Sequence, residues 1–66
     1  MALKALPKDS SKGEFYRARA RCDFEEFFCT DDLEFRVETT NLVEAAKCAE
    51  IEFGYNYTLL SIERVI

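Results

Sequence analysis

Arg17, Arg19 and Arg21 occupy every second position of YRARARC, in a chain of 66 residues whose formal net charge is -4. Guanidinium groups at that spacing share one side of an extended strand, where they can hold phosphates or pair with carboxylates of neighbouring strands. Joined by Arg36, Tyr55 and Tyr57, they would make a basic and aromatic sheet face of the kind that stacks the bases of single-stranded nucleic acid. The opposing set is acidic: DFEEFFCTDDLEFRVE, residues 23–38, holds seven carboxylates against one Arg. There Asp23, Glu25, Glu26, Asp31, Asp32 and Glu34 surround an outward Phe28, an aromatic anchor suited to a basic protein surface.

Covalent and metal chemistry have little to draw on. The three cysteines, Cys22, Cys29 and Cys48, form no CxxC pair, and the chain has no His, whereas a zinc site asks for four Cys or His ligands. Their inward or near-inward positions predict buried free thiols, with neither a disulfide nor a metal. Asp31, Asp32 and Glu34 are expected on a turn with no cleft to raise a carboxyl pKa, and the spacing of a calcium loop is missing. The only glycines are Gly13 and Gly54, so there is no glycine-rich phosphate loop. The expectation is a protein that is not an enzyme and carries no cofactor.

The elements that must position these groups follow from periodicity. Tyr16, Ala18, Ala20, Cys22 and Phe24 alternate with Phe15, Arg17, Arg19, Arg21 and Asp23, which predicts a half-buried strand. A bulge at Glu25-Glu26 would keep Phe24 and Phe27 on one face. A turn at Thr30-Asp31-Asp32 then leads to a second strand with Leu33, Phe35 and Val37 inward, so that Phe27 lies near Phe35 and Cys29 near Leu33. Asn41, or Thr40 as the alternative, is placed to cap a helix of about 12 residues, with Glu44 completing a capping box with Asn41 and Gly54 ending the helix. Leu42, Ala45, Ala46, Ala49 and Phe53 make its apolar stripe, with Val43, Cys48 and Ile51 on its flanks. The close, YNYTLLSIERVI, reads as a third strand with Thr58, Leu60 and Ile62 opposed to Tyr57, Leu59, Ser61 and Glu63.

Strand, strand, helix, strand predicts an α+β fold: a three-stranded antiparallel sheet, strand one central, with one helix packed on one face in ββαβ order. Residues 14–66 form this single domain. Residues 1–13, with Lys4, Lys8 and Lys12 against Asp9, are a flexible basic arm or a loosely docked first strand. The body is left with six basic and twelve acidic residues, a field that opposes phosphate. Cross-strand pairing of arginines with glutamates is therefore preferred over nucleic acid as the role of YRARARC. Phe15, Phe28, Tyr55, Tyr57, Leu59 and Val65 point away from the helix in this layout, which suggests homodimerisation through the open face or docking to a larger partner. No run is long and apolar enough to span a bilayer, and MALKALP is too short for a signal peptide, so a soluble intracellular protein without membrane contact is expected.

An acidic chain of this size, with the Asn-capped helix NLVEAAKCAEIEFG and the closing strand YNYTLLSIERVI, resembles small phage-encoded inhibitors of host defence, anti-CRISPR proteins among them. The resemblance spans residues 14–66 and is one of size and layout. It implies a noncatalytic protein in the host bacterial cytoplasm that occupies a surface of a larger bacterial protein or nucleoprotein complex.

Overall fold

Strict alternation makes Glu14–Cys22 the first strand, β1, and its inward side is closed: Tyr16, Ala18 and Ala20 are fully buried and Cys22 nearly so. The computed structural model describes residues 3–23 and 29–65. The second strand, β2, is Thr30–Val37, the helix α1 is Leu42–Phe53, and the third strand, β3, is Tyr57–Arg64. The sheet order is β2-β1-β3 with both pairings antiparallel, so the strand carrying the three arginines is central, as its pattern predicts. No helix among the described residues is long and apolar enough to cross a membrane.

The hairpin reverses earlier than the sequence suggests, with β1 ending at Cys22 and Cys29 opposite it rather than near Leu33. Thr30, Asp31 and Asp32 are not a turn but the start of β2, opposite Arg21, Ala20 and Arg19. Phe35 faces Tyr16, with stacked rings 5.9 Å apart, and Leu33 faces Ala18, while the Cys22 N–H donates to the Cys29 carbonyl at 2.9 Å. Thr-Asp-Asp has the side-chain chemistry of a turn. Register overrides it, because this alignment sets Tyr16 against Phe35, Ala18 against Leu33 and each of Arg17 and Arg19 against a carboxylate. The expected bulge at Glu25-Glu26, with Phe24 and Phe27, lies outside the described residues.

A second correction concerns β3. Tyr57 pairs with Cys22 and Leu59 with Ala20, which puts both on the helix side, while Thr58 faces Arg21 on the open side. The register then shifts at Arg19/Ala20, so that Ser61 and Glu63 face Arg19 and Arg17, and Ile62 faces Ala18. Leu60 is the extra residue of this bulge and is 48% exposed. The predicted placing of Ile62, Ser61 and Glu63 therefore stands, and that of Thr58, Leu60, Tyr57 and Leu59 is reversed. Alternation carries a strand's faces correctly only until one residue is inserted into it.

The helix starts and stops where its punctuation says. The Asn41 side chain accepts from the N–H groups of Val43 (2.8 Å) and Glu44 (3.4 Å). The other half of the predicted box is replaced: the Asn41 N–H donates to Thr39 Oγ1 rather than to Glu44. Gly54 has φ +97° and donates its N–H to the Glu50 carbonyl. Ala45, Cys48 and Ala49 are buried, so Cys48 belongs to the core and not to a flank, while Leu42 is half-exposed. Small residues there let the helix sit close to the sheet, and Tyr16, Phe35 and Val37 fill the remaining space.

Residues before β1 lie along the β2 edge. Leu6 exchanges backbone hydrogen bonds with Arg36 at 2.7 and 3.1 Å, and Leu3 and Ala5 pack against the core. Gly13 makes the return into β1 at φ +82°, where a Cβ would stand 2.9 Å from the Val37 carbonyl carbon.

Candidate functional site

The open sheet face is a charge ladder. Arg19 Nε donates to Asp32 at 2.9 Å, and Arg17 bridges Glu34 and Glu63 at 3.4 Å each. Arg21 Nε reaches Asp23 at 3.1 Å, and Asp23 also accepts from the Thr58 hydroxyl. Lys8 adds a 3.7 Å pair to Glu34. Arg36 lies over the Phe15 ring and donates to the carbonyls of Lys8 and Gly13. All of these pairs are solvent-exposed, so each adds little to stability. Their effect is to leave no guanidinium of Arg17, Arg19, Arg21 or Arg36 without an acceptor. The hydrogen bond and charge of Asp32 raise the Arg19 pKa, and the Arg19 hydrogen bond lowers that of Asp32. Hydrogen bonds from Thr58 and then Arg21 hold Asp23 below the ordinary carboxylate range.

The tyrosines do not join that face. Tyr57 sits on the helix side, its ring 5.4 Å from Phe53 and its hydroxyl donating to Asp31 at 3.1 Å, a bond that raises its pKa. Tyr55 occupies the turn between α1 and β3 and is 95% exposed. The set Arg17, Arg19, Arg21, Arg36, Tyr55 and Tyr57 is therefore split over three surfaces. The acidic set is split too: Asp23, Asp32 and Glu34 hold arginines, Asp31 holds Tyr57, and Glu25, Glu26 and Phe28 lie outside the described residues. Phe15 is half-buried beneath Arg36, and Leu59 faces the helix, so neither lies bare on the open sheet face.

Among the described residues, one end of the molecule keeps acidic and apolar groups without such partners in sight of solvent. The Asp23 N–H donates to the Asn56 carbonyl at 2.8 Å, tying the root of the hairpin tip to the turn that presents Tyr55. The last turn of α1 beside it carries Glu50 and Glu52 and no basic residue. A helix C-terminus already bears about half a negative charge, so carboxylates there are locally unfavourable. Ile51, 73% exposed, lies between them, and Val43, 64% exposed, is on the same helix. Counting back from Gly54 locates Glu50 and Glu52 in the sequence; the proximity of the Tyr55 turn to Asp23 needs the sheet.

No group of three or more Cys, Asp or Glu among the described residues is arranged to hold a metal. The chain matches no protein-family model, no curated protein and no solved structure, so the reading of this surface rests on its own geometry.

Proposed function

We propose that this chain is a noncatalytic protein-binding module whose hairpin-root end docks on a basic surface of a larger partner. A bacterial nucleic-acid-handling or defence complex offers such a surface, and a phage-encoded inhibitor would occupy it. The observation that carries the reading is Tyr55, 95% exposed, next to a helix C-terminus left negative by Glu50 and Glu52. Tyrosine anchors are over-represented among the residues that dominate binding, and uncompensated like charge at a helix end is the kind of local conflict that a partner's cations would relieve. The nucleic-acid reading is the less favoured alternative, since phosphate would have to displace the carboxylates paired with Arg17, Arg19 and Arg21 and the carbonyls held by Arg36.

The test is affinity capture from bacterial lysate with the wild type, Tyr55→Ala and a Glu50→Lys/Glu52→Lys double variant. Retention of a basic protein or complex by the wild type, lost on raising salt and reduced roughly 30-fold or more by Tyr55→Ala, is expected. Equal retention by all three chains rejects the site. Titration with single-stranded oligonucleotides at ~50 mM salt, where phosphate contacts are strongest, is expected to show no binding; saturable binding would restore the nucleic-acid alternative.

A further inference from the structure

We propose that Cys22 and Cys29 are a redox pair, closing to a reversible disulfide at the root of the hairpin tip. The proposal is independent of which partner the protein binds. Arg21 faces Thr30, and one further step in the same register sets Cys22 opposite Cys29. The 2.9 Å bond from the Cys22 N–H to the Cys29 carbonyl marks them as a hydrogen-bonded pair of the ladder. Such pairs hold their Cα atoms about 5.5 Å apart. Disulfides span roughly 4.4 to 6.8 Å between Cα atoms, so the backbone already stands at the needed separation. The Cβ atoms must close from about 4.5–5.5 Å to roughly 3.5–4.5 Å. That adjustment falls at the end of the described ladder, and the strain it stores makes the bond easy to reduce.

Access is asymmetric in a useful way. Cys29 is exposed and Cys22 is 6% exposed, so Cys29 meets the oxidant and Cys22 resolves. With a small-molecule disulfide such as oxidised glutathione, the Cys29 thiolate attacks one sulfur. The oxidant's S–S bond breaks, and one glutathione leaves as the thiol with the proton that Cys29 gave up. The Cys22 thiolate then attacks the Cys29 sulfur, forming the protein disulfide and releasing the second glutathione. Two protein thiols are oxidised and one disulfide is reduced to two thiols. Local desolvation, the neighbouring Cys22 thiol and the Asp31 charge raise the pKa of the exposed Cys29, which makes the first step slow at neutral pH and faster in mild alkali. Cys48 lies elsewhere, buried in the core with its thiol directed at the Leu3 carbonyl.

The experiment incubates the folded protein with oxidised glutathione, alkylates remaining thiols under native conditions and then after unfolding, and maps tryptic peptides by mass. Cys22 and Cys29 share one peptide, residues 22–36. It is expected to lose two hydrogens and take no alkyl group, while Cys48 is alkylated only after unfolding. Excess reduced glutathione is expected to restore both thiols, and Cys22→Ser is expected to stop at glutathionylated Cys29. The proposal is overturned if both thiols stay free, if wild-type Cys29 stops at the mixed disulfide, or if the links join two chains. It is equally overturned if Cys48 reacts before unfolding, since the link would then come from an opened chain, or if reduced glutathione fails to open the bond.

Discussion

Asp23 and Asp32 show what single residues contribute to the response to pH. Both carboxyls have folded pKa values lowered by hydrogen bonds, from Thr58 and Arg21 in one case and Arg19 in the other. Their contribution is present above the unfolded carboxyl value of about 3.9 and is lost as pH falls through the folded values. Tyr57 works in the opposite direction. The hydroxyl bond to Asp31 raises its pKa, so its contribution is complete below the unfolded value of about 10 and is lost as pH rises through the folded one. Urea unfolding across pH should therefore show an acid limb flattened by Asp32→Asn and an alkaline limb flattened by Tyr57→Phe. A limb that neither variant changes would mean that these bonds are not held in solution. At this scale the sequence was half legible. Alternation revealed that Arg17, Arg19 and Arg21 share a face, but their partners depend on register, and the turn chemistry of Thr30-Asp31-Asp32 pointed to the wrong one.

Among the elements, α1 was the most legible because Asn41 and Gly54 punctuate it, and β3 the least because an inserted residue has no compositional signature. The acidic end of α1 gives a prediction in which stability and binding move apart. Replacing Glu52 by Lys exchanges an unfavourable charge at the helix C-terminus for a favourable one, which should stabilise the domain by about 0.3–1 kcal/mol. The melting temperature should rise by a few degrees, while partner capture weakens. Thermal melting checks the first part and affinity capture the second; a destabilised variant would show that Glu52 has a structural role.

For the whole molecule, the residues preceding β1 belong to the packed body. Leu3 and Ala5 lie against the core, and Leu6 pairs with Arg36 at the β2 edge. Removing residues 1–8 should cost about 2 kcal/mol, the order of burying one Leu, and lower the melting temperature by roughly 10 °C. An unchanged melting temperature would mean that the body stands without them. The sequence leaves a loosely docked strand open beside a flexible arm; PKDSSKG reads as a linker, and only the β2 edge gives the segment before it a place to dock. The bulge of β3 has its own consequence at the level of the gene. With Leu60 struck out, Tyr57, Leu59, Ile62 and Arg64 fall on one side and Thr58, Ser61 and Glu63 on the other, an unbroken alternation. Loss of one codon would then be milder here than many substitutions nearby: a chain lacking Leu60 should fold with a straighter β3 and every cross-strand partner kept, whereas losing Ile62 would carry Ser61 into the helix-side place opposite Ala18.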